Sequence, residues 1–261
     1  MRRNLLFIML LLFILGFTMI TYAEEPSQEI ILQPVNKDTP EFSRSKETEQ
    51  GLKYDLRMVK IENNEQIKKP PVTDAKILYY GKVKLGNPAL EYGILVDFEG
   101  AQKILWVDAD ADLDYSEETP LEIFKSDRYP GVNVYYSPAP LTFQIMYRFD
   151  INEYRVPLLF DLPYLVVARI GSTDIFYLKT RTWFSGTLSD NGEDLNIAVV
   201  DTNDNGIYND PEDLIFVDHD FDLKYSPKEG TPIKKMKKIK LKSKKRFEFD
   251  YQYCPQKLLL K

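Results

Sequence analysis

The chain repeats itself, and nothing else in it constrains the fold as much. The stretch from Gly81-Lys82-Val83 to Leu95-Val96-Asp97 is matched by the one from Gly186-Thr187-Leu188 to Val199-Val200-Asp201. The acidic run from Trp106-Val107-Asp108 to Tyr115-Ser116 is matched by that from Phe216-Val217-Asp218 to Tyr225-Ser226. Further on, Phe143, Ile145, Tyr147 and Phe149 are matched by Phe247, Phe249, Tyr251 and Tyr253. The second copy has the longer first loop, and its extra residues fall just after Asp201.

The repeated segments alternate with period two. Leu141, Phe143, Ile145, Tyr147 and Phe149 share one face, with Thr142, Gln144 and Arg148 on the other, which is the pattern of a half-buried strand. Residues 156–170 are almost continuously apolar, but Pro157 and Pro163 interrupt any helix, so buried strands fit better. A content of 17 Tyr and 15 Phe also favours strands. The expectation is a mainly β protein built from two tandem, internally duplicated antiparallel β units. Each would be a sandwich or partly open barrel, over residues 53–155 and 156–261.

Two segments precede those units. Arg2 and Arg3, the apolar run 5–20 and the small-residue site at Thr21-Tyr22-Ala23 read as a signal peptide over 1–23, cleaved after Ala23. That places the protein outside the cytoplasm, secreted, periplasmic or in the cell envelope, with no membrane span once the signal is removed. An uncleaved N-terminal anchor is the alternative. Residues 24–52 are polar and hold Pro26, Pro34 and Pro40, so they read as a flexible linker with at most one short strand around Ile30 to Leu32.

The charge of −6 becomes more negative once Arg2 and Arg3 leave, which argues against nucleic acid as a partner and suits a protein that collects cations. A single cysteine, Cys254, permits no internal disulfide. An exported chain without disulfides needs another source of stability, and bound calcium would supply one.

Residues 201–212 have the spacing of a calcium loop. Asp201, Asn203 and Asn205 alternate, Gly206 allows the sharp turn, the Ile207 carbonyl adds an oxygen, and Glu212 closes the frame with a carboxylate. This DxNxNG stretch resembles the loop of EF-hand and dockerin proteins, and it is similar to the aspartate-rich turns of thrombospondin type 3 repeats. The resemblance covers the loop alone and implies bound calcium. EF-hands and dockerins leave the loop on a helix, whereas residues 213–217 read as a strand, so Asp213 is an alternative to Glu212 as the last ligand.

Asp218, Asp220 and Asp222 begin a second frame that ends on Glu229, with Leu223 in place of the glycine. Asp108, Asp110 and Asp112 form a third acidic run, with Asp114, Ser116 and Glu118 as further oxygens. Crowded carboxylates repel one another until protons or a cation offset the repulsion. The runs at 108 and 218 also fit solvated acidic turns.

Residues 234–246 form a strongly basic run that alternates through Lys238-Ile239-Lys240-Leu241-Lys242, the pattern of a solvated or protected edge strand. With exposed aromatics it gives an alternative function, a module that binds an anionic cell-surface polymer or polysaccharide. No zinc-protease, nucleophile-elbow or phosphate-loop motif is present, and with one histidine the remaining enzymatic reading is a carboxylate-based hydrolase. The leading expectation is an exported calcium-binding β protein with a structural or interaction role.

Overall fold

Alternating apolar residues become strands almost wherever they occur. The structure, a computed structural model, describes residues 28–36, 50–62, 64–167, 174–190, 192–236, 238–240, 246–248, 254 and 257–260. The expected signal peptide lies outside these residues, as do Phe249, Tyr251 and Tyr253 of the repeat and residues 241–245 of the basic run.

In chain order the strands are β1 (Gln28–Ile31), β2 (Gln33–Val35), β3 (Leu52–Lys60), β4 (Ile77–Leu85), β5 (Leu90–Asp97) and β6 (Lys103–Val107). There follow β7 (Leu121–Lys125), β8 (Asn133–Tyr136), β9 (Leu141–Phe149), β10 (Asn152–Val167), β11 (Asp174–Thr180) and β12 (Trp183–Asp190). The last are β13 (Glu193–Val200), β14 (Leu214–Val217), β15 (Gly230–Pro232), β16 (Lys238–Lys240), β17 (Arg246–Glu248) and β18 (Lys257–Leu260).

The protein is mainly β, as expected, with antiparallel sheets of nine and five strands. The nine-stranded sheet runs β11-β3-β4-β5-β6-β7-β8-β10-β9, and β10 also pairs with β11, so the sheet curls closed. The long β10 makes this possible. Its first half pairs with β9 and its second with both β8 and β11, and the register shifts between Asp161 and Tyr164, around Pro163. A proline there costs no regular ladder hydrogen bond.

The five-stranded sheet runs β15-β14-β13-β12-β2. One hydrophobic cluster joins the two sheets, with Val83, Ile94, Val96 and Leu105 from one and Leu188, Ile197, Val199 and Ile215 from the other. A shared core of this kind makes the sheets one folding unit. The expected division at 155/156 does not coincide with a break in the structure, because β10 runs across it and β11 belongs to the larger sheet. A pair of further ribbons, β1 with β18 and β16 with β17, completes the described strands. The latter holds part of the basic run.

The duplication is visible strand by strand. Gly81 faces Ile94 and Ile94 faces Val107 across β4, β5 and β6; Gly186 faces Ile197 and Ile197 faces Val217 across β12, β13 and β14. This register departs from the sequence match by one residue. Asp97 pairs with Ile104, and Val200, not Asp201, occupies its place opposite Leu214. Matching Asp97 to Asp201 would turn β13 inside out, since a one-residue slip moves every side chain to the other face. Burial of Tyr92, Ile94 and Val96 beside Leu195, Ile197 and Val199 fixes the register.

The second copy takes its first strand from far upstream. β3 lies beside β4 with Leu56 opposite Gly81, and β2 lies beside β12 with Gln33 opposite Ser185. Leu56 and Leu32 are both 2% exposed. Residues 28–36, inside the stretch expected to be a flexible linker, are therefore structured. Burial of Ile30 and Leu32 holds them, and Gly186 lets them approach: a Cβ there would lie 2.6 Å from the Ile31 carbonyl oxygen.

Candidate metal sites

Three acidic loops leave the ends of core strands, and all three take the same path. Asp108, Asp201 and Asp218 each follow directly on a buried strand end and are themselves 0% exposed. In each loop the fourth and sixth positions have positive φ: Ala111 and Leu113 at 64° and 68°, Asp204 and Gly206 at 62° and 75°, Phe221 and Leu223 at 61° and 63°. Left-handed backbone is costly for residues other than glycine. The first aspartate holds it in place by accepting hydrogen bonds from the backbone that curls around it.

The loops at 108 and 218 share most of their bonds, although Asp218 Oδ2 also accepts from the Asn196 side-chain amide at 3.1 Å. Asp108 accepts from the amides of Asp112 at 3.0 Å and Leu113 at 3.2 Å, and Asp218 from those of Asp222 and Leu223, each at 3.2 Å. Asp112 accepts from Asp114 and Asp222 from Lys224. Glu118 then reaches back to the amide of Ala109 at 2.7 Å, and Glu229 to that of His219 at 3.0 Å. The absence of glycine in these loops does not stop them from closing.

Closure leaves oxygens together. Ligand atoms of Asp108, Asp110 and Asp112 lie within 4.8 Å of one another, as do those of Asp218, Asp220 and Glu229, and those of Asp112, Asp114 and Glu117. These groups could hold a metal ion. Asp110 Oδ1 is buried with no hydrogen-bond partner. Among the described residues no ion pair reaches Asp108, Asp110, Asp112, Asp218, Asp220 or Glu229, whereas Asp114 is neutralised by Lys69. Burial raises the Asp108 carboxyl above its usual range, with Asp112 and Asp110 adding repulsion. Burial likewise pushes Glu118 up to about 7, helped by Asp108 and Asp110. Asp222 contributes to its loop through the backbone contact to Lys224 and does not join its cluster.

The loop at 201–213 has the better sequence frame but a different interior. Asp201 Oδ1 accepts from the amides of Asn203 and Asp204, and Oδ2 from the amide of Gly206 and the hydroxyl of Thr180. Four donors use nearly all the acceptor capacity of a carboxylate. Asn203 and Asn205 both turn their amide groups onto Asp210 Oδ2, at 2.7 and 2.6 Å. Glu212, the expected final ligand, faces solvent and pairs with Lys234 at 2.9 Å. Asp213 is the residue turned inward, accepting from Thr202 and from the amide of Asp210. The strand that follows explains the choice: Leu214 begins β14, and Asp213 sits at its buried mouth.

This loop fastens the sheets together. The Tyr147 hydroxyl on β9 donates to the Gly206 carbonyl, the amide of Gly86 donates to the Asn205 carbonyl, and the Tyr208 hydroxyl donates to the Thr182 carbonyl. Tyr208 packs edge-on against Phe184 with ring centroids 4.8 Å apart. Asp201 and Asp213 are both raised well above the usual carboxylate range, first by burial and then by neighbouring carboxylates, Asp204 for the former and Asp201 for the latter. Among the described residues neither is in an ion pair.

Ile207 follows Gly206 with its amide on Asn205 Oδ1 at 2.7 Å. Glu229, Glu118 and Asp213 complete the loops, and all three could be found from the spacing of acids after each first aspartate. The saturation of Asp201 carried no sequence signal, since Thr180 comes from a different strand. No family model matches the chain, and no curated protein or solved structure matches it. Among the described residues no helix is long and apolar enough to cross a membrane.

Proposed function

We propose that this chain is an exported β protein that binds calcium at its duplicated aspartate turns, in a structural or interaction role. The observation that supports the reading best is the recurrence of one turn, at 108 and at 218, with converging carboxylate oxygens of Asp108, Asp110 and Asp112 and of Asp218, Asp220 and Glu229 that no ion pair reaches among the described residues. Calcium takes 6–8 oxygen ligands at 2.3–2.6 Å in flexible geometry, so a carboxylate cluster completed by backbone oxygen and water suits it. Asp218, Asp220 and Glu229 would hold one ion and Asp108, Asp110 and Asp112 another. Magnesium demands a tighter octahedron and sheds water reluctantly, and would bind less well.

The loop at 201–213 plays a different part in this account. Its aspartates are occupied by the protein's own donors, and it joins the two sheets from whose strands β6 and β14 the calcium turns leave. A cation there would have to displace the amides of Asn203 and Asn205 from Asp210. Export, and with it extracellular calcium, rests on the sequence of residues 1–23.

The test is a thermal melt of the chain from residue 24 in chelator, in calcium and in magnesium. Calcium that binds only the folded state adds about 1.4 kcal/mol at roughly ten times its dissociation constant. That corresponds to a rise of about 3–5 °C for a chain of this size. A melting temperature that does not move between chelator and several millimolar calcium would reduce the turns to hydrogen-bonded acidic loops.

A further inference from the structure

The outer face of β3, β4 and β5 is covered in part by the segment that carries Ile67 and Ala75, which pack on Leu78, Tyr80, Leu95 and Trp106. Where that cover stops, a groove of about 640 Å³ remains. The volume lies in the range of small-molecule sites, about 300–1,000 Å³. On the face that carries Arg57, Lys82 and Lys84, the apolar part of its wall comes from Val59 and Tyr80.

Charge distinguishes this groove from the acidic turns. Arg57, Lys82 and Lys84 line it against Asp55 and Glu91. Glu91 is shared between Lys82 at 2.7 Å and Lys84 at 3.5 Å, so one carboxylate answers two ammonium groups. The Arg57 guanidinium has no ion pair among the described residues. The excess is positive in a chain whose net charge is −6.

The duplication acts as an internal control. Arg57 pairs with Tyr80, and its counterpart Gln33 pairs with Ser185. Lys82 and Lys84 pair with Gly93 and Glu91; their counterparts Thr187 and Ser189 pair with Asn196 and Asp194. The second copy makes the same backbone with short neutral side chains that bond locally, Thr187 to Asn196 and Ser189 to Asp194. The strands therefore do not require the three cations. They belong to the first copy alone.

We propose that this groove binds a small amphipathic anion, with a carboxylate or phosphate headgroup held by Arg57 and Lys84 and an apolar body against Val59 and Tyr80. Arginine presents a planar fork that matches either oxyanion, and lysine adds a point charge. The site shares no residue with the calcium turns.

The experiment is isothermal titration of the metal-free chain, its fold verified by circular dichroism, with nonanoate, octyl phosphate, octanol and inorganic phosphate. Either amphipathic anion should bind saturably at one site, and comparison of the two identifies the headgroup. Octanol and inorganic phosphate should each bind at least tenfold more weakly, because each lacks half of the ligand. The variant Arg57→Gln/Lys82→Thr/Lys84→Ser carries what the second copy already tolerates, and should bind the preferred anion at least tenfold more weakly. Arg57→Gln alone should lose severalfold. Equal binding by the wild type and the triple variant, octanol binding as well as the anions, or no saturable binding of either anion would overturn the proposal. Since no calcium is present, such a result would leave the calcium reading untouched, and a failed calcium melt would leave this one.

Discussion

Leu223 offers a direct test of the shared turn. It holds φ at 63° where the matching position at 201–206 has Gly206 at 75°, and its side chain is 79% exposed. The left-handed conformation costs a residue with a Cβ about 1–2 kcal/mol. Glycine removes that cost but loses about 0.5–1 kcal/mol more entropy on folding. With little burial to lose, Leu223→Gly should be neutral to stabilising, by up to about 1 kcal/mol, or a few degrees in melting temperature. Leu223→Val should lose stability, because a β-branched residue fits positive φ worst. Gly206→Ala is the mirror experiment. A Cβ there meets nothing nearer than 3.6 Å, so its loss of about 1–2 kcal/mol would come from the backbone alone. Thermal melts of the three variants in chelator read these differences without any contribution from metal. If Leu223→Gly proves more than about 1 kcal/mol less stable than wild type, the residue is not in the strained conformation on which the comparison of the loops depends.

Other consequences follow from the buried acids. Asp201, Asp213, Asp108 and Glu118 all titrate higher in the folded chain than in the unfolded one, so the folded chain binds more protons above about pH 4 and stability falls as pH rises through about 7, where Glu118 titrates. The metal-free melting temperature should therefore be lower at pH 8 than at pH 5, and calcium should narrow the gap; a rise toward pH 8 without metal would contradict the assignment. Asp213→Ala leaves the amides of Thr202 and Asp210 without their acceptor and should cost at least about 2 kcal/mol in denaturant unfolding. Glu212→Gln breaks only an exposed ion pair with Lys234 and should change stability by less than about 1 kcal/mol.

The strands were legible in the sequence because their burial is periodic, as in Leu141 to Phe149, and the duplication was legible because both copies bury the same face. Register was harder. An aspartate follows one strand and ends the other, so Asp97 and Asp201 align as letters, while the apolar faces of Tyr92, Ile94 and Val96 require a shift. The strand β2 was hidden because three residues among prolines and charges carry no periodicity, and only Leu32, packed where Leu56 packs in the first copy, explains its place. Site geometry was legible at the first aspartate of each loop and less so beyond it. Glycine marks a left-handed position when present, but Leu113 and Leu223 adopt it without that mark, held by the carboxylates of Asp108 and Asp218. The frame at 201 looks complete in sequence, yet whether a carboxylate is free to bind a cation depends on donors such as Thr180 that arrive from another strand.

Calorimetric titration of calcium into the chain from residue 24 tests the central claim most directly. The account predicts saturable binding with a dissociation constant of roughly 10⁻⁴ to 10⁻³ M, as for extracellular modules. Asp218→Asn and Asp108→Asn should each weaken it or lower the stoichiometry, and Glu212→Gln should leave it unchanged. No heat beyond dilution at several millimolar calcium, from protein shown to be folded, would contradict it.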